Sequence, residues 1–282
     1  MSSATSSDIE LKEQALHDVL RGCGSAVIGF SGGVDSSYLA KAALDALGRD
    51  RVLAVTGRSP AYPAVQHEMA LAVARSIGLP RLEIETHELD DPDYAANSEN
   101  RCYFCKADLY QRLLQVAREK GFAVVLDGSN ADDLGDYRPG LRAARELGVR
   151  SPLQEVGLTK AEIRALSRRA ALPTWEIPAS PCLASRIPYG LQVTPERLRQ
   201  IEEAEAGLRA LHAWRDLRVR HHGELGRLEV AAEDMDRMAD PAFREAAVAA
   251  LKEAGFTRAC LDLQGYRRGA LNELIGLGGA GL

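Results

Sequence analysis

The chain has 282 residues, of which 46% are apolar and 27% charged, near-average soluble usage that excludes collagen-like, fibrous and wholly disordered classes. Lys plus Arg number 35 against 40 Asp plus Glu, a formal charge of −5, so no chain-wide basic excess marks a nucleic-acid partner such as tRNA or DNA. No apolar run reaches the roughly 18 to 20 residues of a membrane span, and MSSATSSDIE has neither the basic nor the apolar region of a secretory signal, so the expected setting is the cytoplasm with no membrane partner.

After eight residues expected to be frayed, Ile9 to Leu20 carries apolar side chains at helical spacing. Ala26 to Phe30 is a short apolar run ending in Ser31-Gly32-Gly33, and Ser36 to Leu47 resumes the helical period, giving strand, tight turn and helix. Arg51 to Thr56, Arg81 to Glu85 and Ala123 to Asp127 read as further strands, with helices over His67 to Ile77 and Tyr103 to Lys120. Strands alternating with helices predict an α/β fold with a doubly wound parallel sheet. Asp90 to Lys106 reads as a long polar loop, the kind that usually carries function. Thr159 caps a helix to Ala170, with Glu162 three residues on to complete a capping box.

Pro173 to Gly190 holds four prolines (Pro173, Pro178, Pro181, Pro188) and is expected to lack regular structure. It is the expected junction between a domain of residues 1–186 and a small α+β domain of residues 187–282. The latter begins with Thr194-Pro195-Glu196, a helix start, and continues to about His212. Alternating stretches follow at Asp216 to His221 and Arg227 to Val230, then a helix near Pro241 to Ala254, a strand Ala259 to Leu263, and a Gly-rich tail, Gly276 to Leu282, expected to be disordered.

Ser31-Gly32-Gly33-Val34-Asp35-Ser36-Ser37 follows a strand and opens a helix, so its backbone N–H groups lie at the positive end of a helix dipole. The glycines let backbone approach a phosphate, Ser31, Ser36 and Ser37 offer hydroxyls, and Asp35 can hold Mg²⁺. A tight turn with an Asp cap is the plainer alternative. The string resembles the PP-loop of the ATP pyrophosphatase superfamily and departs from the Walker pattern, which ends in Gly-Lys-Ser/Thr. That resemblance implies cleavage of ATP between the α and β phosphates, with AMP passed to a substrate oxygen.

Of five cysteines, Cys102, Cys105 and Cys182 stand beside polar or turn-forming residues, while Cys23 and Cys260 read as packing residues. Cys102 and Cys105 fall at a helix start, where the dipole favours anions. Alone, the pair is open to three readings: redox couple, half of a zinc site, or incidental. A third cysteine and no nearby His turn the reading away from zinc and toward a [4Fe–4S] cluster on three thiolates, whose open iron suits a sulfide ligand.

With Leu126-Asp-Gly-Ser-Asn130, Asp136-Tyr-Arg-Pro-Gly140, Ser185-Arg-Ile-Pro-Tyr-Gly190 and Leu261-Asp-Leu-Gln-Gly-Tyr-Arg267 added, the chain resembles the LarE family along nearly its whole length. The family's members are ATP-dependent sulfur transferases of nickel-pincer nucleotide biosynthesis. They adenylate a pyridinium carboxylate mononucleotide with ATP and Mg²⁺ and convert it to a thiocarboxylate. One branch sacrifices its own cysteine; the other carries three cysteines and a [4Fe–4S] cluster that passes on sulfide. Ungapped alignment through Trp175 and Arg186 to Gly190 puts the sacrificial position at Pro181, one residue before Cys182, so the likeness is to the cluster branch. A one-residue slip would make Cys182 the sacrificial donor.

The resemblance also implies that Arg186, Arg218, Arg220 and Arg267 meet substrate or phosphate and that Glu205 is a substrate-site acid, with a solvated face as the alternative, since Glu196, Glu202 and Glu203 share its helix. Asp127, Gly128 and Ser129 close the fourth strand at the edge where such sheets bind ligands, and Lys106, beside the cysteines, is expected to pair with a phosphate. Arg218 and Arg220 share one strand face by period-two alternation, and the alternative is an exposed surface. The implied partners are a small-molecule mononucleotide, a sulfide donor and further copies of the chain. A tRNA thiolase of the same superfamily, which the charge of −5 disfavours, and a nucleotide-dependent iron–sulfur or nickel-handling scaffold that hydrolyses nothing are the alternatives.

Overall fold

The computed structural model describes residues 6–135, 139–178 and 180–267. Helix α1 (Ser6–Cys23) leads to strand β1 (Ala26–Gly29), α2 (Val34–Leu47), β2 (Val52–Arg58), α3 (Ala64–Ser76) and β3 (Arg81–Glu85). The short α4 (Pro92–Ala95) precedes α5 (Arg101–Lys120), β4 (Val124–Leu126), α6 (Pro139–Glu146), single-turn α7 (Pro152–Glu155) and α8 (Lys160–Arg169). Then come α9 (Pro195–Leu211), β5 (Leu217–His222), β6 (Leu225–Val230), α10 (Pro241–Glu253) and β7 (Arg258–Leu261).

The chain divides into two units. The first comprises residues 1–59, 64–88 and 100–180, and the second residues 60–63, 89–99 and 181–282. In the first, four parallel strands lie in the order β3-β2-β1-β4, and an isolated bridge from Leu126 to Arg150 extends the edge. Alternation along β1 explains the double winding: Ala26 and Ile28 join one core with Leu16, Leu39, Val73 and Ile163, while Val27 joins the other with Leu113, Val116 and Ala144. Apolar side chains on both faces of β1, β2 and β4 demand helices on both sides, while the edge strand β3 is apolar on one face only.

In the second unit, β5 and β6 pair antiparallel, and β7 joins β6 in parallel. One face of this sheet, through Leu217, Val219, Leu228 and Val230, packs on Ala204 and Leu208 of α9 and Ala247 and Leu251 of α10. The opposite face carries Arg218, Arg220, Arg227 and Glu229, in register across the β5–β6 pair.

The expected α/β architecture with a parallel sheet and a small C-terminal sheet is present, with four local differences. Residues 6 to 8 are helical rather than frayed, since α1 starts at Ser6. The polar stretch from Asp90 contains α4, capped by the Asp91 carboxylate, and α5 already begins at Arg101. The two-turn α6 went unforeseen because eight residues are too few for a visible helical period. Cys260 is exposed, not packed, because β7 is an edge strand whose outward residues are uncovered among the described residues. The tail from Gly276, residues 1 to 5 and Asp136 to Arg138 lie outside the described residues.

The capping box on α8 forms as expected: Glu162 N–H donates to Thr159 Oγ1 at 3.3 Å and Thr159 N–H donates to Glu162 Oε2 at 2.8 Å. Lys12 of α1 also donates to Glu162 at 2.8 Å, so the box ties two helices. Thr159→Ala should lower the unfolding free energy by about 1 to 2 kcal/mol, measured by urea denaturation. An unchanged midpoint would remove the box from the account of α8.

Candidate functional site

In an open parallel sheet, ligands bind beyond the carboxyl ends of the strands where the winding reverses. Here the reversal falls between β1 and β4. Both strands release their chain into turns built on close backbone approach. Gly32, at φ +70°, lies so near α3 that an added Cβ would stand 2.6 Å from Ala70 Cα. A Cβ on Gly128, beyond β4, would stand 3.0 Å from Ser36 N. Glycine at these two places lets the loop sit between α3 and the β4 turn.

Gly33 is the N-cap of α2 and supplies no side-chain cap, which leaves the helix end for an anion. Ser36 Oγ donates to Gly33 O at 3.2 Å and lies 3.2 Å from Ser31 Oγ, so these two hydroxyls brace the loop. Gln66 Nε2 donates to Ser31 O at 3.0 Å from α3. Ser37 differs from the other loop residues: it is wholly buried, and its hydroxyl has no hydrogen-bond partner.

Asp35 is held by Lys160, whose ammonium lies 2.5 Å from Oδ2. Its other oxygen, Oδ1, is buried without a partner. Burial raises the Asp35 pKa, and the Lys160 charge and hydrogen bond oppose that rise. A buried, unsatisfied carboxylate oxygen at an anion-binding helix end fits a Mg²⁺ ligand, because a hard cation would satisfy it. Sequence reasoning overlooked Lys160, the first residue of α8, because nothing local ties it to Asp35, 125 residues earlier in the chain.

Beyond β4, the Asp127 carboxylate accepts from Tyr110 Oη at 2.6 Å, Ser151 Oγ at 2.7 Å, Ser129 Oγ at 3.0 Å and Ser129 N–H at 3.1 Å. These bonds fix Gly128 against α2. Lys106 lies with its ammonium 5.3 Å from the Tyr110 ring centroid. Cys102 is exposed and Cys105 half-buried, one turn apart at the start of α5, a spacing that puts both thiols on one side of the helix.

Cys182 belongs to the second unit and is the N-cap of a short turn, Leu183–Arg186. Among the described residues no group of three or more His, Cys, Asp or Glu side chains gathers for a metal ion. Thiolates are soft donors, so each of these cysteines suits an iron–sulfur centre better than a hard cation.

Arg186 and Glu205, both expected at substrate, meet each other. Arg186 Nε and Nη2 donate to the two Glu205 oxygens at 2.9 and 3.1 Å, and both residues are 1% exposed. Arg186 Nη1 also donates to the carbonyls of Pro181 (2.6 Å) and Cys182 (3.0 Å), so the pair grips the Cys182 turn. Arg218 and Arg220 are buried, which removes the exposed-surface alternative. Arg218 lies 5.1 Å from the Tyr266 ring centroid, and burial, followed by the like charge of Arg186, lowers its pKa. Arg220 donates to Glu229 at 2.7 Å and to Ser185 O at 2.9 Å, while its Nε is buried without a partner. Arg267 is exposed and donates to Gln264. Three buried guanidiniums, Arg186, Arg218 and Arg220, lie in this unit with the buried carboxylates Glu205 and Glu229, and guanidinium groups are suited to anionic ligands.

Burial pushes the Glu205 carboxyl up, yet Arg186, with help from Arg209 and Arg218, outweighs it and holds the group below its ordinary value. A depressed folded value makes the pair's stabilisation fully present above the unfolded pKa, about 4.3, and lost as pH falls through the folded value. Glu205→Gln should therefore destabilise the protein by about 3 to 5 kcal/mol at pH 7, with the gap to the parent shrinking below pH about 4. Urea denaturation at both pH values checks this, and a gap independent of pH would refute it.

Residues 9–118 match the family described as NAD synthase. A glutamine-dependent NAD(+) synthetase of Synechocystis sp. is 41% identical over 64 residues, 22% of this chain and 12% of its own. An uncharacterised protein of Synechocystis sp. is 41% identical over 95% of this chain and 99% of its own length. The pyridinium-3,5-bisthiocarboxylic acid mononucleotide synthase of Lactiplantibacillus plantarum is 35% identical over 94% of this chain and 95% of its own. A likeness of that depth, running the length of both chains and including the glycine loop at the switch point, makes this chain an ATP-dependent enzyme that belongs to the LarE family.

Proposed function

We propose that the chain is a sulfur transferase that adenylates the carboxylate of a pyridinium mononucleotide with ATP and exchanges the activated oxygen for sulfur. The observation that carries the reading is the uncapped helix end after β1, where Asp35 offers a buried oxygen without a partner and Lys160 adds a cation. The name of the Lactiplantibacillus relative supports the substrate class.

In the first half-reaction a substrate carboxylate oxygen attacks the α phosphorus. The bond to the β-phosphate oxygen breaks, and pyrophosphate leaves an acyl-adenylate behind. The N–H groups at the start of α2 and the Lys160 ammonium hold the phosphates and the charge that develops on them. Mg²⁺, held by Asp35, would supply neutralisation of the phosphates. Arg218 and Arg220 offer guanidinium groups to the anionic groups of the mononucleotide. In the second half-reaction a sulfur nucleophile attacks the acyl carbon, the C–O bond to AMP breaks, and a thiocarboxylate and AMP leave.

We assign delivery of that sulfur to Cys102, Cys105 and Cys182, with a [4Fe–4S] cluster as the group they would hold and an open iron as the place for sulfide. Sulfide from a separate donor then makes turnover catalytic. Cys182 as a self-consumed donor is the second reading; the turn that Arg186 grips around this one cysteine favours it. The cytoplasm, where ATP is abundant, is the proposed setting.

Asp35→Ala should abolish pyrophosphate release, and Lys160→Ala should raise the KM for ATP about tenfold or more. Full pyrophosphate release by the Asp35 variant would refute the loop assignment. Protein purified without oxygen should contain about four iron per chain, lost in each of Cys102→Ala, Cys105→Ala and Cys182→Ala. Absence of iron, with loss of the elements of H₂S from Cys182 after one turnover, would establish the self-consuming reading instead.

A further inference from the structure

Asn97 is fully buried and adopts φ +56°, a left-handed conformation that asparagine tolerates better than most side chains. Its side-chain nitrogen donates to the main-chain carbonyls of Pro188 at 2.7 Å, Leu191 at 2.8 Å and Ile187 at 3.3 Å. Its own carbonyl accepts from Gly190 N–H at 3.1 Å, and the Ala95 carbonyl accepts from Val193 N–H at 2.9 Å. Every one of these bonds ends on a single irregular stretch, 187–193, that begins immediately after Arg186.

The other flank of the Cys182 turn is fastened separately. Leu183 N–H donates to Ala61 O at 2.8 Å, and Arg186 grips the carbonyls of Pro181 and Cys182. Arg186 is itself locked on Glu205. The turn is therefore clamped from within by Arg186 and from its downstream side by Asn97. An apolar side chain in place of Asn97 would leave carbonyls of that stretch buried and unmet, so the amide has a specific task beyond filling space.

We propose that Asn97 is a positioning residue for the Cys182 turn. Its amide fixes the 187–193 stretch, that stretch fixes Arg186 and the turn, and the turn sets how the Cys182 thiol is presented. In consequence Asn97 governs sulfur transfer while leaving adenylation untouched, a clause that rests on the function proposed above.

Two variants test it. Asn97→Asp keeps size and backbone preference but sets an acceptor against three carbonyls; Asn97→Gly keeps the positive φ and deletes the amide. Alkylation of Cys182 by iodoacetamide is followed by peptide mass spectrometry, with exposed Cys260 in the same molecule as internal reference. In both variants the Cys182 rate should change about threefold or more relative to Cys260. With ATP, Mg²⁺, a pyridinium carboxylate mononucleotide and sulfide, thiocarboxylate formed per pyrophosphate released should fall about tenfold while the ATP KM stays within about twofold.

Folded variants with the parent's Cys182 rate and the parent's coupling ratio would overturn the proposal. If neither variant folds, hydrogen exchange on the parent decides: Gly190 and Val193 amides protected like those of β5 support the clamp, and exchange as fast as in exposed loops overturns it. A parent that releases no pyrophosphate overturns the proposed function and leaves the alkylation result to judge Asn97.

Discussion

Everything in the first unit hangs on backbone approaching backbone at the switch between β1 and β4. Gly32 rests against Ala70, and Gly128 rests against the first turn of α2, with no room for a side chain at either place. These two contacts hold an uncapped helix end open while packing its surroundings. The Asp127 carboxylate, saturated by four donors, keeps the second contact in register. The loop thus owes its shape to neighbours on three different elements.

The second unit solves a different problem, the burial of charge. Arg186, Arg218 and Arg220 would each be costly in a dry interior without carboxylates. Glu205 and Glu229 meet part of that demand, and Glu205 serves four donors at once: Arg186 by two nitrogens, Arg209, and the Val219 N–H. All three guanidiniums are spatially fixed, since each donates to a backbone carbonyl.

Much of this was legible in the amino-acid sequence. The strand order of events, the glycine loop, the capping box at Thr159 and the helix start at Thr194 all depend on local chemistry that short strings encode. Lys160 was not legible, because its role comes from a contact with Asp35 across 125 residues of chain. The motifs mark Arg186 and Glu205 as candidate substrate residues, but a string of letters does not say whether an arginine faces a ligand or a buried acid. Asn97 looked like an ordinary loop polar residue; only its burial and positive φ distinguish it. Cys260 misled because a cysteine within an apolar run looks the same on an edge strand as in a core.

The second unit is stitched from stretches far apart in the chain: residues 60–63 and 89–99 join a body that starts at 181. A ribosome emits the first two long before the third, so they wait without partners while the first unit's strands are already present. Residues 181–282 expressed as a fragment would lack both borrowed segments, including the acceptor for Leu183 N–H and the donor for the 187–193 stretch. Closing such long loops is slow compared with helix and hairpin formation. The chain is consequently a poor candidate for division into autonomous halves and for folding strictly in order of synthesis.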